Sequence, residues 1–169
     1  MDIRIRPVRA QDAQAIYEIR IMSGVRENML AMPTESFSKS EKMIAGAGTN
    51  FHAFTAILVQ DDASEKVIGM AGLQVYESPR LRHSGGIGIQ VHRDYQGMGA
   101  GQKLMEAILD LADNWLMLVR VELGVYTCNE KAIRLYEKMG FEREGIKRKA
   151  AIRNGEYADE LMMARIRNC

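Results

Sequence analysis

The stretch Val91-His92-Arg93-Asp94-Tyr95-Gln96-Gly97-Met98-Gly99-Ala100-Gly101-Gln102 leaves one regular pattern and enters another. Upstream, Ile87, Ile89 and Val91 alternate with Gly88, Gln90 and His92, the period-two pattern of a strand. Downstream, Leu104, Ile108, Leu111 and Trp115 are spaced 4, 3 and 4 apart, while Lys103, Glu106, Asp110 and Asp113 keep the other side polar. That is an amphipathic helix. Glycines at the junction let backbone N–H groups approach a ligand closely. The helix start adds unpaired N–H groups and the positive end of its dipole, so the junction is a cradle for phosphate or diphosphate. Tight-turn geometry is the plainer reading of the glycines taken alone. Two familiar nucleotide patterns fail on spacing: G-x-G-x-x-G from Gly97 needs glycine where Gln102 stands, and no Gly-Lys-Ser/Thr triplet follows.

Working outward, Ile3 and Ile5 alternate with charged residues in a short first strand that ends at Pro7. A helix follows from about Gln11, with Ala13, Ile16 and Ile19 on one face and Asp12 in its first turn. Residues 22–37 read as irregular, and Ser38–Ala45 as a second short helix closed by Gly46 and Gly48. Phe51–Val59 and Val67–Tyr76 form a hairpin turned at Asp61-Asp62-Ala63-Ser64. Beyond the long helix, Val121, Leu123 and Val125 mark a fifth strand. Asn129–Met139 is helical, with Ala132, Tyr136 and Met139 on one stripe and Gly140 as its stop. Phe141–Lys149 and Tyr157–Ile166 are final strands turned by Asn154-Gly155.

The order β-α-α-β-β-β-α-β-α-β-β defines an α/β (α+β) class. Hairpin strands pair antiparallel, and the helix joining the fourth and fifth strands implies a right-handed parallel unit. A chain of 169 residues with 47% hydrophobic content and no linker suits one domain over 1–169. Lys plus Arg is 23 against 22 Asp plus Glu, so neither a nucleic-acid surface nor a polybasic membrane patch is expected. The N-terminal residues lack the apolar core of a signal peptide, and no apolar run approaches the ~18 residues of a membrane span. Cys128 and Cys169 make no disulfide framework, so a reducing, cytoplasmic setting is expected. The 12 methionines are read as flexible core filler.

What the junction does fit is Gln96-x-x-Gly99-x-Gly101. Here the sequence resembles the GCN5-related N-acetyltransferase (GNAT) superfamily. The likeness continues through Asn129-x-x-Ala132-x-x-x-Tyr136-x-x-x-Gly140-Phe141. It ends in Arg153-Asn154-Gly155-Glu156-Tyr157-x-Asp159 with Met163-Ala164-Arg165, which is similar to the bacterial amino-acid and small-amine acetyltransferase branch. The resemblance covers nearly the whole chain. It implies a three-layer αβα fold with a mixed, mostly antiparallel sheet whose parallel fourth and fifth strands splay apart. It also implies acetyl-coenzyme A as cosubstrate, no metal, a small primary amine as acceptor, and a homodimer.

Carried over by resemblance, Ile89, Gln90 and Val91 hold the pantetheine arm. Gln96, Gly97, Met98, Gly99, Ala100, Gly101 and Gln102 hold the diphosphate. Asn129 contacts the pantetheine, or is a plain helix cap. Tyr136 protonates the departing thiolate, a role a phenol can fill in a dry cleft; a core tyrosine is the alternative. The acceptor amine needs a base, and Glu122 is the first candidate, with Glu27, Glu35, His83 and His92 behind it. Lys131, Arg134 and Lys138 form a basic strip, either a solvated face or a contact for the 3′-phosphate. Cys128 is expected to be a small apolar filler. Three rival classes remain: a non-catalytic acyl-coenzyme A sensor, a protein-modifying acetyltransferase, and a dinucleotide binder. Retention of Asn129 and Tyr136 argues against the first, and the failed glycine spacings against the last.

Overall fold

The computed structural model describes residues 2–168. Seven strands lie in one sheet in the order β1-β2-β3-β4-β5-β7-β6. They are β1 (Asp2–Pro7), β2 (Phe51–Val59), β3 (Glu65–Val75), β4 (Ser84–Val91), β5 (Arg120–Tyr126), β6 (Glu142–Arg153) and β7 (Glu156–Ile166). Four helices accompany them: α1 (Ala13–Ile21), α2 (Phe37–Ala45), α3 (Ala100–Asp110) and α4 (Glu130–Lys138). The element order matches the sequence reading. Pro7, expected to end the first strand, is its last residue, opposite Phe54. At that edge its missing N–H costs no ladder bond. Asn154 and Gly155 turn the last hairpin with φ of 51° and 80°, the double left-handed geometry such turns need.

Alternation along the strands divides the core in two. On one face α3 and α4 set Leu104, Met105, Ile108 and Ile133 against Ile68, Leu73, Val121, Leu123 and Met163. On the other, α1 and α2 set Ala13, Ile16 and Ile44 against Ala53 and Met70. A sheet covered on both faces makes the three layers.

Every strand pair is antiparallel except β4 with β5. Those two are in register only over Ser84–Arg120, Gly85–Val121 and Gly86–Glu122. Beyond that they part, leaving a wedge in the middle of the sheet.

Trp115 departs from the expected stripe. The long helix widens into a π turn over Leu111–Trp115, and Trp115 ends 76% exposed instead of continuing the row of Leu104 and Ile108. A π turn takes more residues than an α turn, so the 3.6-residue phase is lost there. The same turn brings Asp113 to β7, where Arg165 donates two hydrogen bonds of 2.8 Å to it.

Candidate active site

Where β4 and β5 part, a cleft of about 630 Å³ opens, within the usual range for small-ligand sites. The glycine loop forms its rim. Gly97 and Gly99 have φ of 77° and 89°, a backbone that side-chain-bearing residues adopt only at a cost. Gly101 answers a different need. A Cβ there would lie 3.3 Å from Leu135 Cδ2, so its absence lets α3 and α4 approach. The first turn of α3 carries no acidic residue and no side-chain cap, so its N–H groups and dipole face the cleft uncompensated. Gln96 braces the loop from within by donating through Nε2 to the Val91 carbonyl at 3.1 Å.

Of the residues expected to hold the cofactor, Ile89, Gln90, Val91, Gln96, Gly97 and Gly99 line the cleft. So do Gly101, Gln102, Asn129 and Tyr136. Met98 and Ala100 do not: Met98 is exposed, and Ala100 points its methyl into the core. Gln90 is buried, and its side chain donates to the Ile16 carbonyl at 3.2 Å, tying β4 to α1.

Asn129 caps α4, its Oδ1 accepting from Ala132 N at 3.3 Å, and it also faces the cleft. Tyr136 is buried beside Phe141, and burial alone pushes its hydroxyl up to about 12. It therefore keeps its proton at neutral pH and is available as a donor. Lys131 and Arg134 line the cleft, while Lys138 donates to Gln102 Oε1 at 2.8 Å.

Glu122 is placed elsewhere. It is on the α1/α2 face of β5 but not on the cleft wall. Its Oε1 accepts from the Tyr76 hydroxyl at 2.5 Å and its Oε2 from Arg120 Nε at 2.7 Å. The Tyr76 bond and the Arg120 guanidinium, working against burial, hold the carboxyl below its ordinary range. With both oxygens engaged, its placement gives no support to its being the base.

The other candidates also lie off the cleft wall. Glu35 is buried between Arg20 and Lys39, and Glu27 accepts from Gly24 N at 2.6 Å. His92 accepts through Nδ1 from Asp94 N at 3.2 Å, and His83 offers its carbonyl to Val119 and Arg120. Cys128 is exposed, not the buried filler expected.

The segment after α1 supplies the far wall through Val25, Asn28, Met29 and Leu30. Arg153 holds it by donating to the Glu27 carbonyl at 3.0 Å and to Asn28 Oδ1 at 3.3 Å. Glu160 of β7, which is not among the residues expected from sequence, also lines the cleft. Its signal was the alternation of Glu160, Met162 and Ala164 against Leu161 and Met163. That signal has meaning only once β7 is known to lie beside β5.

Residues 15–141 match the family model described as the Acetyltransferase (GNAT) family. The chain belongs to that family. It is 34% identical to the L-amino acid N-acetyltransferase AaaT of Escherichia coli strain K12, over 98% of this chain and 99% of that protein. It is 26% identical to a spermidine N(1)-acetyltransferase of Vibrio cholerae, over 93% and 88% of the two chains. A spermidine N-acetyltransferase from Vibrio cholerae solved with CoA and spermine superposes with TM-score 0.81 at 25% identity, over 97% and 95%. A GNAT-family acetyltransferase from Streptococcus pneumoniae gives 0.84 at 22%, over 99% and 100%. The protein is an acetyl-CoA-dependent N-acetyltransferase. Among the described residues no helix is long and apolar enough to cross a membrane, and no group of three His, Cys, Asp or Glu is placed to hold a metal.

Proposed function

We propose that this enzyme transfers the acetyl group of acetyl-CoA directly to the primary amine of a small molecule, an L-amino acid or a related amine. The observation that carries the reading is one cleft holding three things: the parted edges of β4 and β5, the uncapped first turn of α3, and the buried Tyr136 hydroxyl. Unpaired strand edges suit the amide-bearing pantetheine arm, and free helix N–H groups suit a diphosphate. Acetyl-CoA supplies the activated acetyl thioester. The chain's own residues do the rest: Ile89 to Val91 and Asn129 orient the arm, the Gln96–Gln102 loop anchors the phosphates, and Tyr136 gives a proton to the leaving sulfur. Full-length similarity to an L-amino acid acetyltransferase supports the acceptor class.

The test is release of CoA thiol from acetyl-CoA with a panel of L-amino acids and polyamines. Turnover with free amino acids is expected. Turnover confined to polyamines or protein lysines would replace the acceptor class. Thermal stabilisation by acetyl-CoA without turnover would mark a sensor.

We further propose a homodimer acting in the cytoplasm. The edge strand β6 is almost wholly exposed, with Ile146, Ile152 and Tyr157 uncovered nearby, a surface that association would cover. Light scattering at the mass of one 19.0 kDa chain over a wide concentration range would refute the dimer.

A further inference from the structure

We infer that Glu160 is the general base that removes the proton of the attacking amine; the inference rests on the acetyltransferase reading above. Among the described residues lining the cleft, Glu160 is the only carboxylate, and none is a histidine. Lys131, Arg134 and the tyrosines there present N–H and O–H donors. Glu160 is thus the one group on the cleft wall with a lone pair suited to take a proton.

Its position is built in. Glu160 is registered with Tyr126, so its side chain shares a face of the sheet with Gly124. The carboxylate lies directly over Gly124, where a Cβ would come within 2.6 Å of Glu160 Cδ. A glycine in the middle of β5 weakens a strand unless something needs its space. Here that something is the carboxylate, held where β5 leaves β4.

The faces also fit the chemistry. Leu123, Val125, Leu161 and Tyr136 belong to the α3/α4 core. Glu160, on the alternate residues, faces the side bearing Asn28, Met29 and Leu30. Acid and base therefore stand on opposite faces of the gap between β4 and β5. The charged and titratable groups around Glu160 are Lys147 of β6, whose Nζ is 3.5 Å from Oε2, and Tyr126 of β5, whose phenol is pushed up by burial and then by Glu160 itself. Arg153 and Cys128 act on Tyr126 from farther along.

The neutral amine's nitrogen lone pair forms the N–C bond to the acetyl carbonyl carbon, and the C–S bond breaks with its electron pair on sulfur. Sulfur takes the Tyr136 proton, and the excess proton on nitrogen passes to the Glu160 carboxylate. Exchange with solvent then returns a proton from Glu160 to Tyr136.

The experiment compares Glu160→Gln, Glu160→Asp and Gly124→Ala with the wild type in steady-state turnover, acetyl-CoA calorimetry and melting. Glu160→Gln is expected to lower kcat by roughly 10²–10⁴-fold, the range for a lost acid–base group. Acetyl-CoA affinity and melting temperature should hold, and the deficit should narrow as rising pH supplies hydroxide. Glu160→Asp should keep more activity than Gln. Gly124→Ala displaces the carboxylate, and its loss should not multiply with that of Glu160→Gln, because both act through one group. A folded Glu160→Gln enzyme within about threefold of wild-type kcat overturns the role and leaves the acetyltransferase reading standing. A loss confined to the amine KM overturns it too. A wild type that turns over no amine overturns the reading and the role together.

Discussion

Gly86 of β4 and Glu122 of β5 are the last residues that the two parallel strands hold in register. Past them each strand keeps a partner only on its outer side, β3 for β4 and β7 for β5. Inner-edge N–H and C=O groups there face the cleft instead of a ladder. Backbone amides in residues 87–91 are expected to exchange faster than their β3 neighbours in the free enzyme and to slow when acetyl-CoA fills the gap. Exchange mass spectrometry with and without acetyl-CoA reads this directly, and unchanged protection would place the cofactor elsewhere.

Gly99 combines a φ of 89° with an open space where a Cβ would point. Replacing it by Val asks a branched residue to adopt left-handed backbone, at about 1–2 kcal/mol or more. The added side chain also stands on the phosphate-binding rim. The expected outcome is a modest fall in melting temperature and a large loss of acetyl-CoA affinity by calorimetry. Wild-type affinity in a folded Gly99→Val protein would move the diphosphate site off this loop.

Tyr136→Phe removes a hydroxyl and keeps a ring packed against Phe141. Turnover should fall roughly 10²–10⁴-fold with little change in acetyl-CoA binding. Because burial holds the hydroxyl up at about 12, it remains a donor through the neutral and mildly alkaline range. The wild-type pH–rate profile should therefore show no loss from Tyr136 ionising near the ordinary phenol value of about 10. Near-wild-type kcat in the Phe variant, with release of product shown to be fast, would leave solvent as the acid.

Asp12 sits 3% exposed beneath β1. It accepts 2.7 and 2.9 Å bonds from Arg6 and a 2.7 Å bond from Arg9 N. Burial opposes its charge, but Arg6, the Arg9 amide and Thr55 together hold its carboxyl below the ordinary range. A depressed carboxyl stabilises the fold above its unfolded value of about 3.9, and that contribution is lost as the pH falls through the folded value. Asp12→Ala leaves Arg6 with Glu65, 2.9 Å from its Nε, as its remaining carboxylate partner, and should cost about 1–3 kcal/mol at neutral pH for the lost charge-assisted bonds. Urea unfolding at pH 7 and pH 3 checks both statements: the gap between variant and wild type should shrink at the lower pH.

Arg153 ties the β6–β7 hairpin to Glu27 and Asn28, next to the cleft wall. Arg153→Ala should free that wall, raising the amine KM while leaving acetyl-CoA binding and the melting temperature nearly unchanged. An unaltered amine KM would show that this segment does not shape the acceptor end.

What the sequence made legible was what depends on near neighbours. The strand limits of Phe51–Val59, the helix Asn129 caps, the hairpin at Asn154-Gly155 and the glycine cradle each follow from residues a few positions apart. Trp115 breaks the expected stripe because a π turn changes phase with no local signature. Glu122 faces away from the buried Val121 and Leu123, as strand alternation requires. Arg120, two residues away on the same face, is a local neighbour, but nothing along the chain shows that Tyr76 occupies the other oxygen. The alternation that sets Glu160 apart from Leu161 and Met163 gains its meaning only from Gly124 on a neighbouring strand. Register between strands distant in sequence carries that information, and single-chain periodicity does not.

The π turn also decides how the protein will be seen in a spectrometer. Trp115 is the only tryptophan in the chain, and the wide turn leaves it facing water. It sits at the far end of the helix from the cradle, roughly 20 Å away at 1.5 Å per residue. Its emission in the folded state should already be that of a solvated indole, with little red shift left for unfolding to produce. Acetyl-CoA binding should leave it silent. The natural fluorophore is a spectator, and circular dichroism or an indole introduced beside the cleft is the better witness.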